Sequence, residues 1–228
     1  MKRSDYILNL STDTIAMLKN FSDINTNILI KPGNKIQTCS NMRSILAEAE
    51  IKENFDSEFA IYDLPKFLRS LDLFQSPELK FNGGASMTIS EAKNARKKIK
   101  YFFSDKESVF VANKITMPDK HVTFTLKNSD LTELHKGVAT LNLPDIAVIG
   151  DGKSINLVAP DKKDKTSNEV SIPIADSDVK FTAYFKSENF KMIPDDYDVA
   201  ISKQKISSLI SKSKNVQYWI ALEPDSAF

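Results

Sequence analysis

Phe59 to Phe67 reads FAIYDLPKF, and Phe181 to Phe190 reads FTAYFKSENF. Each opens on the alternating apolar residues of a strand and runs into a stretch that reads as a helix. A second pair follows in the same order: KIKYFFSD, Lys98 to Asp105, and VQYWIALEPD, Val216 to Asp225, each a strand closing its half. Two matches in one order at a spacing of about 118 residues mark duplication of a whole domain, because solenoid repeats have periods nearer about 20 to 50.

Outward from these blocks, the first half fills in. Ser11 to Phe21 (STDTIAMLKNF) puts Ile15, Leu18 and Phe21 on one face, with Ser11 as N-cap. ILIKPGNKI, Ile28 to Ile36, flanks Pro-Gly-Asn with apolar residues and predicts a hairpin, and Ser44 to Ile51 alternates as a strand. In DLPKFLRSLDLF, Leu64, Phe67, Leu68 and Leu71 fall at helical spacing behind the cap Asp63 and an early Pro65. Glu78 to Ile89 folds around Asn82-Gly83-Gly84 as a second hairpin.

The order recurs from His121: a strand in HVTFTL, a helix from Ser129 to Leu141 and a hairpin at Asp151-Gly152. Strands are expected at Val170 to Ile174 and Val179 to Phe185, then a short helix over Ser187 to Met192. A hairpin from Tyr197 to Ile210 and a strand at Val216 to Leu222 complete the copy. Ser104 to Lys120 carries no period. The domains are therefore set at 1–108 and 121–228, joined by a connector at 109–120. Two helices per half, each with an apolar face to cover, and enough strands to cover it define an α+β layer arrangement.

Composition narrows the function. The chain has 228 residues, 41% hydrophobic and 27% charged, which is ordinary globular usage. It lacks the roughly 18 consecutive apolar residues of a membrane span, and Met1 to Leu10 has no signal-peptide core. One cysteine, Cys39, excludes an internal disulfide, and with only His121 and His135 beside it a zinc site is not expected. The net charge of +1 gives no overall field for gripping nucleic acid, so any such contact must be local. No nucleotide-binding loop and no nucleophile–base pair is evident, so neither a cofactor nor catalysis is expected.

LSTDTIAMLKNFSDINTNILIKPGNKIQT (Leu10 to Thr38), FAIYDLPKFLRSL (Phe59 to Leu71), VFVANKITMPD (Val109 to Asp119) and YWIALEPDSAF (Tyr218 to Phe228) together resemble the sliding clamps of T-even-type bacteriophages. The likeness spans the chain and rests on the order of the blocks. The sequence departs from the family pattern at Pro224, after Glu223, and in a connector with fewer prolines. The resemblance implies a noncatalytic, ring-shaped homotrimer whose two clamp-type domains per chain line a central hole with helices and face antiparallel sheets outward. It further implies duplex DNA bound without sequence preference, DNA polymerase, an ATP-dependent clamp loader and transcription proteins as partners, and the cytoplasm of the infected bacterial host as location.

A ring holds DNA by enclosure, so it needs only a modest cationic lining. On helix faces opposite the apolar ones, Lys19, Lys66, Arg69, Lys127, Lys136, Lys186 and Lys191 are the candidates. The other reading is that they are ordinary solvated residues. RKKIK, Arg96 to Lys100, alternates as a strand and reads as a solvated outer face or a charged subunit edge. His135 stands either near phosphate or as an exposed structural residue. Clamps of this type are similar in receiving a partner's apolar peptide near the connector. Here Val109, Phe110, Val111, Ile115 and Met117 would supply that groove, or else pack the connector onto the sheets. A structural virion protein of repeated β-rich domains is the alternative function.

Overall fold

A computed structural model describes residues 5–93, 96–111, 115–164 and 166–228. Ala112 to Lys114 of the connector lie outside these. The chain divides into two compact units, Met1–Asn41 with Ala47–Asn113, and Met42–Leu46 with Lys114–Phe228. The first runs β1 (Asp5–Leu8), α1 (Thr12–Ile24), β2 (Ile28–Ile30), β3 (Gly33–Cys39), β4 (Ile45–Phe55), β5 (Phe59–Ile61), α2 (Leu64–Leu71), β6 (Pro77–Asn82), β7 (Ser86–Glu91) and β8 (Lys98–Phe102). The second repeats the order with β9 (Val122–Leu126), α3 (Asn128–Leu141), β10 (Asp145–Asp151), β11 (Ser154–Ala159), β12 (Val170–Asp176) and β13 (Lys180–Lys186). A 3-10 turn (Ser187–Asn189), β14 (Tyr197–Ser202), β15 (Ile206–Ser211) and β16 (Val216–Ala221) complete it.

The ladders within β1-β6-β7-β8, β2-β5, β9-β14-β15-β16 and β12-β11-β10-β13 are antiparallel. In the first unit β1-β6-β7-β8 form one sheet and β2 pairs with β5. In the second, β9-β14-β15-β16 are successive neighbours in one sheet and β12-β11-β10-β13 form another. β1 matches β9, and β6-β7-β8 match β14-β15-β16, so this sheet order repeats as the sequence does. β1 escaped sequence analysis because four half-exposed residues carry too little periodicity.

Two expectations are corrected. The hairpin over Ile28 to Ile36 is not a ladder: β2 pairs with β5 through Ile28↔Ile61 and Ile30↔Phe59, while β3 lies beside β4. Pro32 has no N–H to give, and Gly33 at φ 114° swings the chain out of extension, so β2 and β3 part company. The equivalent β10 and β11 do form a hairpin, closed by the Asp151 carboxylate accepting from the Lys153 and Ser154 amides, both 2.8 Å.

The helix expected over Ser187 to Met192 is instead one 3-10 turn, Ser187–Asn189, followed by irregular chain. Phe190 and Met192 are both buried, a spacing of two that suits extended chain and not a helix. Tyrosines then take the backbone of Ile193. Its N–H donates to Tyr218 Oη at 3.2 Å, and its carbonyl accepts from the Tyr197 hydroxyl. Burial pushes the Tyr218 hydroxyl up to about 12, so it stays a neutral hydrogen-bonding group.

Ser11 caps α1 through its side chain, and Asp63 caps α2 by accepting from Lys66 N–H at 2.8 Å. The first core centres on Phe21, Ile28, Ile30, Leu64, Leu79 and Met87, all fully buried, and the second on Ile146, Leu157, Phe185, Tyr197 and Tyr218. Each such side chain contributes about 1.5 to 3 kcal/mol on burial. Gly137 lets α3 sit down on β12: a Cβ there would stand 2.5 Å from Val170 Cγ2. Among the described residues no helix is long and apolar enough to cross a membrane.

Candidate nucleic-acid interface and docking grooves

The first unit gathers three of the expected cations on its paired helices. α1 buries Met17, Leu18, Phe21 and Ile24 and leaves Lys19 exposed, with its ammonium 3.6 Å from the Asp72 carboxylate just past α2. α2 buries Leu64, Phe67, Leu68 and Leu71, and turns Lys66 and Arg69 to solvent one turn apart. Neither makes an ion pair among the described residues. Arg69 lies in the last turn, where the helix dipole favours a cation.

The second unit gives a weaker arrangement. Lys127 stands at the N-cap of α3 and Lys136 nine residues on, half a turn out of phase at 3.6 residues per turn, so the two do not share a face. Glu133 is the i−3 neighbour of Lys136 and offsets its charge. His135 is half-buried, and burial holds its imidazole below the usual value, so it adds no positive charge at neutral pH.

With the fourth helix gone, its two lysines are relocated. Lys186 ends β13, and its ammonium lies 2.6 Å from Asp145 and 3.7 Å from Glu223. The hydrogen bond to Asp145 raises its pKa, and the ammonium is engaged by that carboxylate. Lys191 is exposed but lies past the 3-10 turn, on no helix.

The connector residues are divided between two grooves. Val109 is buried and packs its segment down, whereas Phe110 is half-buried with its N–H donating to Asn27 Oδ1 at 2.8 Å. Phe110 and Val111 line a groove of about 230 Å³ with Leu29, Pro32 and Lys31 of the first unit. Met117 instead lines a groove of about 540 Å³ across β9, β14 and β15, with Phe124, Val199 and Ile210. Ile115 is half-buried and lines neither. Met42, 87% exposed in the turn between β3 and β4, is an apolar residue that sequence analysis passed over, since one methionine in SNMRS has no period.

Among the described residues, β8 and β12 each end a sheet. β8 turns Tyr101 inward onto the Phe67 ring, 5.2 Å between centroids, and Lys98, Lys100 and Phe102 outward. Lys98 to Lys100 of RKKIK thus lie in a strand that ends its sheet. β12 ends its sheet with Pro173 in mid-strand, a residue suited to edges, and is flanked by Glu169 and Asp176. Among the described residues no cluster of His, Cys, Asp or Glu has the make-up of a metal site.

Residues 11–112 match a family model described as DNA polymerase processivity factor, and residues 123–224 match one described as gp45 sliding clamp, C terminal. The chain is 34% identical to the sliding clamp of Vibrio phage KVP40 over 95% of its own length and 99% of that relative. It is 30% identical to the sliding clamps of Escherichia phage RB69 and Enterobacteria phage T4, each over 96% of this chain and 98% of the relative. Among solved structures, proliferating cellular nuclear antigen from Entamoeba histolytica superposes with TM-score 0.70 at 16% identity, covering 98% of this chain and all (100%) of that one. The equivalent protein of Thermococcus kodakaraensis gives 0.70 at 11%, over 96% and 99% of the two chains. At those identities the likeness is one of fold.

Proposed function

Since the chain belongs to the sliding-clamp family of DNA polymerase processivity factors, noncatalytic proteins, we propose that three copies close into a ring around duplex DNA and tether the polymerase to it. Its relatives are named as clamps and none as a virion component, so the virion alternative has no support.

The internal repeat carries the ring. In the second unit the turn that leads into β4, within Met42–Leu46, meets the end of β16, where Ala221 N–H donates to Ser44 O at 2.8 Å. The repeat maps β16 onto β8 and β4 onto β12. Both mapped strands are open edges, β8 basic and β12 flanked by acid, as a contact between successive copies requires. Such a head-to-tail contact leaves no free end once the ring closes.

DNA then meets chiefly Lys19, Lys66 and Arg69, with Lys127, Lys136 and Lys191 as a sparser second set. Weak phosphate contacts suffice, because enclosure does the holding. The grooves at Phe110 and Met117 receive apolar peptides of the polymerase, of an ATP-dependent loader and of transcription proteins, in the cytoplasm of the infected bacterium. Light scattering tests the ring: the expected mass is three times 25.6 kDa. Loaded clamp should also be retained on closed circular DNA and slide off linear duplexes. Equal retention on both would sink the reading.

A further inference from the structure

The outer edge of β13, unlike those of β8 and β12, is filled. Thr182 and Ala227 exchange two backbone hydrogen bonds, both 2.8 Å, and Glu223 N–H donates to Tyr184 O at 2.8 Å. Tyr184 N–H donates to Ser226 Oγ at 3.0 Å. Every backbone group that Thr182 and Tyr184 present on this side therefore has a partner within Glu223–Phe228.

Side chains hold the same segment. Lys162 Nζ lies 2.9 Å from Asp225 and 3.6 Å from Glu223, and Lys205 donates to the carbonyls of Pro224 and Ser226. The Phe228 ring stacks parallel to Phe181 and meets His121 edge-on at 5.5 Å. In the first unit Ala60, which matches Thr182 in the repeat, forms only an isolated bridge with Ser104, just past β8. The second unit has thus enlarged a small edge contact into a filled slot.

An open strand edge accepts any extended chain, and a sheet with both edges open can add copies without closing. We propose that Glu223–Phe228 is a guard strand: it fills a strand-accepting slot on β13 that recognises an extended segment with acidic residues ahead of an aromatic one, and leaves β12 as the edge open to a neighbour. The consequence for assembly rests on the ring reading. The slot does not.

The test is a chain lacking Glu223–Phe228. It should keep the far-UV circular dichroism of wild type, show faster amide exchange at Thr182 and Tyr184, and give a mass that climbs above wild type with concentration. Adding a synthetic EPDSAF peptide should bring that mass back. Ala227→Pro, which deletes one donor and keeps the remaining segment, decides the matter if the shortened chain does not fold. Its expected result is faster exchange at Thr182 with a concentration-dependent rise in mass. Wild-type mass and exchange in the folded variant would overturn the proposal, as would failure of the peptide to bind the shortened chain. The wild-type mass judges the ring separately, since a wild-type monomer removes the ring and leaves the slot to the difference between variant and wild type.

Discussion

The Lys186 ammonium sits 2.6 Å from Asp145 Oδ1, a carboxylate whose side chain is only 1% exposed. Lys186→Ala would strand a buried charge, at a cost of roughly 2 kcal/mol, the scale of a hydrogen bond to a charged group. Urea melts should show that loss. Because the lysine pKa is raised, the contribution is complete at neutral pH and fades only as pH rises past the ordinary lysine value of 10.5. Loading on DNA should be unchanged, and impaired loading by a fully folded variant would return Lys186 to the DNA-facing set.

Lys66→Ala with Arg69→Ala should act the opposite way. Both side chains are exposed, so the thermal midpoint should stay near wild type, within the roughly 0.5 kcal/mol usual for surface changes. Loading on primed circular DNA should weaken, and its dependence on salt should flatten as phosphate contacts are lost. Unchanged loading across a salt series would count against this face as the lining.

Glu53 couples α1 to β4. Its carboxylate, 9% exposed, accepts from Ser11 N–H and from the Thr14 hydroxyl, each at 2.5 Å. Burial pushes the carboxyl up, but the Thr14 and Ser11 hydrogen bonds together outweigh it, and the pKa ends below its ordinary 4.5. A depressed carboxyl contributes stability that is present above its ordinary value and lost as pH falls through the folded one. Glu53→Gln should therefore cost about 1 to 2 kcal/mol at neutral pH. The two melting curves should converge in acid, and parallel curves at all pH would show the carboxylate to be irrelevant.

Gly137→Ala would gain about 1 kcal/mol of helix propensity in isolation. In the folded chain the new Cβ meets Val170 Cγ2 at 2.5 Å, and overpacking of this kind costs about 1 to 3 kcal/mol. Net destabilisation is expected, with relief in the double variant Gly137→Ala, Val170→Ala. Because Val170 opens β12, the single variant should also lower the assembled mass.

Met117→Glu places a charge in the groove beside Phe124 and Ile210. Fluorescence anisotropy with a peptide from the tail of the polymerase should record a loss of at least about tenfold, equivalent to 1.4 kcal/mol. Phe110→Glu tests the other groove, and the variant that leaves binding intact identifies the groove this peptide does not use.

The sequence by itself determined the duplication, the α+β class, α1 and α2 with their caps, and the strand that starts at Lys98. Apolar spacing reports which face of an element is buried, and Ser11 and Asp63 act on amides within one turn of themselves. Which strand pairs with which was beyond its reach, because backbone hydrogen bonds carry no residue code. β2 therefore found β5 rather than β3, and Tyr197 and Tyr218 took the backbone of Ile193, just past the helix expected over Ser187 to Met192. The partner of Lys186 is 41 residues away in the chain, and Thr182 finds Ala227 only because β13 and the closing segment meet in space. Tertiary structure alone decided which lysines are engaged by carboxylates and which strands end a sheet, since both depend on what each group is folded against.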